Sequence, residues 1–432
     1  MTIIDFFFNS FIGAFQFTYF QLTHGGTAWV LPLVFSIFAW KAWVYYINAE
    51  YLHNLKWTLI EIRLPKEIRR SPLAMEIVLN SLHQTGKTGS FYKKYWLGQL
   101  RPTFSLEIVS IEGKVHFFIR TLEEFRNTLE SYIYAQYPEA EIATVPDYAE
   151  RVSYTIGGRW YMNGIEFVLS KPDPYPIKTY IDYGMDKSLK EEEKIDPITP
   201  TIEVMGSLKK GEQLWLQIIV RAATDRFRLP GKWFKKGNYK DEAEEEIKKI
   251  KALATVKTLA TDTEGKFNIN LLTPIQKDVI EALGRNTDKL GFDAGIRAIY
   301  ISEKDSYRGA SSANIPTLIN IMKQYNSANL NSFKISYLSS FDNFPWSDYI
   351  GFRRGGLFYI NIGIKETERL RLRLFKLYRR RGYFYSPYPH KPFVLSSEEL
   401  ATIYHFPGGV SGTPSFERIE SKKSEPPVNL PV

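Results

Sequence analysis

Cysteine is absent from the 432-residue chain, which excludes disulfides, thiolate metal sites and cysteine nucleophiles. Histidine is scarce: the six residues, at 24, 53, 83, 116, 390 and 405, form no metal-ligand spacing such as H-E-x-x-H. His116 lies in an alternating stretch, where a cross-strand neighbour is the expected role. No G-x-S-x-G nucleophile elbow occurs. The one phosphate-loop lookalike, HQTGKT at 83–88, has Ser81 where such a loop needs glycine, and it ends a helix instead of starting one. The acidic pairs Glu123-Glu124 and Glu398-Glu399 fit charged helix starts. No catalytic, cofactor-binding or metal-ligating residue emerges, and a non-enzymatic protein is expected. A dominant charge is missing as well: 56 Lys and Arg against 47 Asp and Glu leave +9, which fits a polyanion-facing protein and equally one with no such partner.

Long apolar runs are confined to the N-terminus. Residues 28–47, AWVLPLVFSIFAWKAWVYYI, would rise ~30 Å as a helix, about the thickness of a bilayer core. Gly25-Gly26 breaks the chain before the run, Thr27 can cap it, and Pro32 falls early enough to be tolerated. Trp29, Phe35 and Phe38 supply apolar bulk, while Trp40, Trp43, Tyr45 and Tyr46 cluster at the far end, where amphipathic rings favour headgroups. Lys41 is near enough to that end to snorkel outward. Basic residues follow the run (Lys56, Arg63, Lys66, Arg69, Arg70), whereas only Asp5 is charged before it. These eight positions, 29, 35, 38, 40, 41, 43, 45 and 46, are read as a membrane anchor, with the bulk of the chain on the cytoplasmic side of the inner membrane. Residues 3–22 are helical in period and read either as an interfacial helix or as the first leg of a hairpin.

The remainder reads as α+β. Over 56–150, WTLIEIRLP alternates as a strand and Ser71-Pro72 opens a helix. FSLEIVSIEGKVHFFIRT makes a hairpin turning at Glu112-Gly113, Thr121-x-x-Glu124 is a capping box, and AEIATV closes a β-α-β-β-α-β order. Residues 151–200 form a strand-containing, Pro-rich connection. Over 201–345, the strand LWLQIIVRAA, the Thr273-Pro274 helix start, the strand IRAIYIS and a helix around 315–325 repeat the pattern. The expected fold is a membrane helix (27–48, after a segment 1–26) followed by two ferredoxin-like split βαβ units. A basic helix and C-terminal subdomain (346–411) and a flexible tail (412–432) complete it. DEAEEEIKKIKALATV reads as a charged, solvated helical arm.

The strongest electrostatic feature is the run Arg369, Arg371, Arg373, Lys376, Arg379, Arg380 and Arg381. Seven cations in thirteen residues can neutralise DNA phosphates or dock on anionic lipid, or form a solvated face paired with Glu366 and Glu368.

Three stretches carry a resemblance: LEIVSIEGKVHFFIRTLEEFRNTLESYIYAQYPEAEI (106–142), DPITPTIEVMGSLKKGEQLWLQIIVRAA (196–223) and SSEELATIYHFPGGVSGTPSFERIESKKSEPPVNLP (396–431). They are similar to the non-ATPase region ahead of the motor in conjugative coupling-type ATPases of type IV secretion and DNA transfer, and to stand-alone relatives in candidate-phyla bacteria. In the fused relatives a tail resembling PPVNLP leads into a P-loop motor; here the chain ends at Val432. The resemblance implies a membrane-anchored adaptor or scaffold whose ATPase is a separate chain acting in trans. It carries over no catalytic residue and implies no cofactor. The expected partners are the membrane, that ATPase, DNA or anionic lipid at the basic run, and a second copy of the chain.

Overall fold

A computed structural model describes residues 16, 19–20, 30–64, 70–84, 90–186, 195–224, 227–228, 236–254, 272–304, 314–339, 345–352, 358–360, 364–385 and 390–408. Among them run thirteen strands: β1 (Trp57–Arg63), β2 (Phe104–Ile111), β3 (Lys114–Leu122), β4 (Glu141–Thr144), β5 (Trp160–Leu169), β6 (Glu212–Ala222), β7 (Phe227–Arg228), β8 (Lys236–Gly237), β9 (Gly291–Glu303), β10 (Phe333–Leu338), β11 (Ile350–Phe352), β12 (Phe358–Ile360) and β13 (Phe393–Ser396). The helices are α1 (Val30–Asn54), α2 (Pro72–Ser81), α3 (Phe91–Tyr95), α4 (Glu123–Gln136), α5 (Thr199–Gly206), α6 (Tyr239–Ala254), α7 (Pro274–Asp288), α8 (Asn314–Asn320), α9 (Glu366–Arg380) and α10 (Ser397–Ile403). The chain divides into two compact units, residues 1–55 with 86–100, and residues 56–85 with 101–432.

Nine strands of the larger unit form one antiparallel sheet in the order β10-β5-β9-β6-β2-β3-β1-β4, with β13 added to β9. Two separate ferredoxin-like units were expected; the correction is a single continuous sheet. Its cause is the ladder between β2 and β6, eight residues from Phe104↔Val220 to Ile111↔Gln213, which leaves neither half a free edge at their junction. Within each half the strands follow one internal order, fourth-first-third-second: β4-β1-β3-β2 on one side and β10-β5-β9-β6 on the other. The halves differ between their second and third strands. In the first half these are joined by the tight turn at Glu112 (φ 55°) and Gly113 (φ 86°), both in the left-handed region that such hairpin turns require. In the second half α6 and α7 are inserted there.

Period-two alternation sends side chains to opposite faces of the sheet. Phe104, Leu106 and Ile108 of β2, with Leu214, Leu216 and Ile218 of β6, face the main core, which is closed by Met75 and Val78 of α2, Leu129 and Ile133 of α4, Met205 of α5, Leu318 of α8 and Leu400 of α10. The opposite face carries Leu59, Val109, Phe118, Trp215 and Ile299 and is covered by Leu374, Phe375 and Tyr378 of α9 and by Tyr148 and Val152. The Arg-Leu alternation at 369–374 thus resolves as helix, because one side of it buries against a sheet. Thr121 does not cap α4: the N-cap residue is Leu122, without a side-chain cap bond, and the Thr121 hydroxyl donates to the Leu122 carbonyl. A true capping box opens α10, between Ser396 and Glu399, and another opens α7, between Thr273 and Gln276.

In the smaller unit, the expected transmembrane anchor is corrected. Among the described residues no helix is long and apolar enough to cross a membrane, and the inner-membrane placement loses its support. Two features of α1 account for this. Its apolar run is interrupted by Lys41 and gives way after Ile47 to Asn48, Glu50, His53 and Asn54 within the same helix. Its aromatic end also has a protein partner: Trp43 Nε1 donates to the Tyr95 carbonyl at 2.9 Å, and the Trp40 ring lies 5.5 Å from Tyr95 and 6.4 Å from Trp96. Phe35, Phe38, Trp40, Lys41, Trp43, Tyr45 and Tyr46 are all exposed to some degree. Trp29, most of segment 3–22, the Gly25-Gly26 break, the HQTGKT residues 85–88 and the tail 412–432 lie outside the described residues.

Candidate functional site

On the α9 face, one level of the sheet is polar from strand to strand. Register places Glu166 of β5 opposite Arg297 of β9, Arg297 opposite Gln217 of β6, Gln217 opposite Glu107 of β2, Glu107 opposite Phe118 of β3, and Phe118 opposite Glu61 of β1. Glu166 and Glu61 occupy equivalent first strands of the two halves. All five polar members are buried. A charge taken out of water persists only when paired and hydrogen-bonded, and this row meets the requirement differently at its centre and its ends.

At the centre, Glu107 accepts five hydrogen bonds. Ser105 Oγ (2.6 Å), Gln217 Nε2 (2.9 Å) and Arg381 Nε (2.9 Å) donate to Oε1; Tyr148 OH (2.7 Å) and Arg381 Nη2 (3.1 Å) donate to Oε2. Because the Tyr148 hydroxyl gives its one proton to Glu107, the Tyr378 hydroxyl 2.7 Å away donates to Tyr148. Burial pulls the Glu107 carboxyl upward, but the Arg381 charge and these donors outweigh it and hold the group below the usual carboxylate range. Burial and the Glu107 charge push both tyrosines well above their ordinary value. Asp147 also pairs with Arg381. Arg120, stacked 4.3 Å from the Trp57 ring, is drawn down to about 10 by burial and by the charge of Arg381.

This network assigns Arg381 a structural place. It sits at the C-cap of α9 in left-handed conformation (φ 48°), with a side chain 4% exposed. It is therefore not available to an external polyanion, and the basic run expected to act together is divided. Arg371 is half-buried, stacked 4.8 Å from the Tyr161 ring and donating to its hydroxyl at 3.1 Å. Arg369, Arg373, Lys376, Arg379 and Arg380 are exposed. Arg369, Arg373, Lys376 and Arg380 are spaced three or four residues apart and share one helix face. Arg369 lies 4.0 Å from Glu366. The opposite side of the helix is held close to the sheet because Gly164 of β5 has no side chain; a Cβ there would lie 2.5 Å from Leu374 Cδ2.

At the two ends of the row each glutamate meets a histidine. His116 Nδ1 lies 2.7 Å from Glu61 Oε1, and Arg63 donates to Glu61 Oε2 at 2.7 Å. Burial raises the Glu61 carboxyl, and these two partners more than reverse it. The role expected for His116, a cross-strand neighbour, is the one seen. At the other end Glu166 lies 3.4 Å from Arg297 and 3.8 Å from His390. Composition gave no hint of the row, because its members are far apart in sequence; only the alternation within each strand and a register could have located it.

A second junction brings together three stretches that are far apart in the sequence. Residues 106–142 and 196–223 meet through the β2–β6 ladder and through Ser110 Oγ, which donates to the Met205 carbonyl at 2.7 Å. The stretch beginning at Ser396 joins them: Tyr404 OH donates to the Phe118 carbonyl at 3.0 Å, Phe406 lies edge-on to Phe117 and Tyr137, and His405 Nε2 is 2.8 Å from Asp196 Oδ1. Asp196 also accepts from the Ile198 and Gly408 backbone N–H groups. Burial pulls its carboxyl up, yet His405 and those donors hold it below the ordinary range. No protein-family model matches the chain, and no curated protein matches its sequence.

Proposed function

We propose that the chain is a non-enzymatic adaptor that binds and orients a separately encoded P-loop ATPase of a type IV secretion- or conjugation-like machine. The observation that carries this reading is the convergence of residues 106–142, 196–223 and 396–408 in one body, locked by the β2–β6 ladder and the His405–Asp196 pair. Segments scattered over the sequence that resemble one region of the coupling-type ATPases are neighbours in space. The reading is tested with the full chain and the candidate ATPase purified separately. The expected result is a complex stable to gel filtration, faster ATP hydrolysis by the ATPase when the chain is added, and no hydrolysis by the chain alone. Hydrolysis by the purified chain, or no association after crosslinking, refutes it.

A second reading has its own support in α9: its exposed cations act on a nucleic-acid backbone. Arg369, Arg373, Lys376 and Arg380 extend over ~17 Å at 1.5 Å per residue, a row commensurate with several phosphates along a strand. Duplex DNA affinity is then expected to fall steeply with salt; binding that is absent or insensitive to salt ends this reading.

A further inference from the structure

Strand β9 pairs with β6 along one edge, but two strands share its other edge: β5 along Ile296–Glu303 and β13 along Gly291–Ala294. Where β5 departs and β13 takes over, the sheet forks, and the fork holds a cleft of about 660 Å³. Glu166, Leu169 and Pro172 line one side; Tyr383, His390 and Phe393 line the other. Asp173 bridges the two sides by accepting the backbone N–H of Val394 at 3.1 Å.

Glu166 and His390, at one end of the polar row, line this cleft. Glu166 is 5% exposed, yet among the described residues its Oε1 makes no hydrogen bond, nor does Nδ1 of His390, 3.8 Å away. A buried polar atom without a partner costs free energy, so a ligand that satisfies both atoms is favoured. Charge narrows its chemistry. Arg297, wholly buried, stands 3.4 Å from Glu166 as counterion, so an entering cation meets the guanidinium and an entering anion meets the carboxylate. Burial lowers His390 below the ordinary histidine value, against the pull of Glu166, which keeps the ring neutral at neutral pH. Of the other charged groups that line the cleft, Lys171 Nζ donates to the Ala328 and Asn329 carbonyls, Asp173 is committed to β13, and Glu242 and Lys391 are of opposite charge. A neutral hydroxyl meets no like charge, and it can donate to Glu166 Oε1 while bonding the imidazole in either tautomer. The walls add apolar faces from Leu169, Pro172, Pro392 and Phe393.

We propose that the fork between β5 and β13 is a binding site for a neutral polyhydroxylated ligand, a sugar, seated with one hydroxyl on Glu166 and His390 and its C–H face against Phe393 and Pro392. The site is independent of the adaptor reading. The test uses the full chain with glucose, galactose and N-acetylglucosamine as probes and glucosamine and glucuronate as charged counterparts, followed by saturation-transfer NMR and titration. At least one neutral sugar is expected to bind more tightly than its charged counterpart. His390→Ala should weaken that binding by about tenfold or more, the loss expected for one hydrogen bond in a buried site. Ser336→Trp should abolish it by filling the cleft; Ser336 lies at the irregularity in the β10–β5 ladder, where a larger side chain disturbs pairing least, and near-UV circular dichroism checks that both variants fold. The proposal is overturned if no neutral sugar in the panel shows transfer, if a charged counterpart binds more tightly, or if folded Ser336→Trp binds as the parent does.

Discussion

Replacing Arg381 with methionine keeps a long side chain at the C-cap of α9 but removes both of its bonds to Glu107. In the parent, Glu107 is wholly buried and ionised, with Arg381 as its one bidentate cation among the described residues. Without the guanidinium, Ser105, Gln217 and Tyr148 still donate, but none carries charge. Removing one member of a buried pair costs about 3–5 kcal/mol, because the remaining charge stays out of water. The pH dependence should reverse as well. In the parent the folded carboxyl lies below its unfolded value, so its contribution is present above the unfolded pKa and is lost as pH falls through the folded one. In R381M burial dominates and the folded carboxyl rises above its unfolded value, so the variant gains stability as pH falls through that raised value toward the unfolded one. Urea unfolding of the full chain at pH 7 and pH 5 measures both effects. R381M should lose the full amount at pH 7 and recover part of it at pH 5. The double variant Glu107→Gln with Arg381→Met should be more stable at pH 7 than R381M alone, since position 107 then carries no unpaired buried charge. A loss under about 1 kcal/mol for R381M, or a double variant no better than the single, would refute this account of the network.

Other expectations follow from the same geometry. Lys376→Ala with Arg379→Ala and Arg380→Ala should change stability by no more than about 0.5 kcal/mol each, because these side chains are exposed, while the slope of log affinity for duplex DNA against log salt should fall by roughly 2–3 in fluorescence anisotropy. Gly164→Ala should cost about 1–3 kcal/mol by forcing α9 from the sheet, and Leu374→Val in the same chain should recover part of that loss in denaturant titrations. Asp196→Asn should cost about 1–3 kcal/mol at neutral pH. Because the folded Asp196 carboxyl lies below its unfolded value, the deficit relative to the parent should shrink as pH falls through the acid range, and a deficit constant with pH would contradict an ionised Asp196 held by these partners.

Local patterns in the sequence located much of the fold. WTLIEIRLP, the Glu112-Gly113 hairpin, the Ser71-Pro72 start of α2 and the Thr273 start of α7 all rest on near-neighbour rules, and the elements stand where those rules put them. Register between distant strands was not legible. Nothing near Phe104–Ile111 announces that its partner lies about a hundred residues on, so a joined sheet was read as two units. The basic run shows the same limit in the candidate site. Arg380 and Arg381 are adjacent and chemically alike, yet one faces solvent while the other neutralises a carboxylate 274 positions away. Helical phase separates exposed from buried positions up to Arg380, and the left-handed turn at Arg381 then redirects the last side chain inward.

The ladder between β2 and β6 also bears on what either half would do alone. Cut from its neighbour, the first half would expose Phe104–Ile111 along one edge, an eight-residue template without proline or lysine in which Glu107 is the one charge. Since β2 and β6 are antiparallel second strands of similarly ordered halves, a second copy of the first half could take the place of β6 and rebuild a symmetric eight-stranded sheet. The single chain has that association built in covalently: the two halves meet at an effective concentration no free partner can match, and the stickiest edge of each is covered by the other.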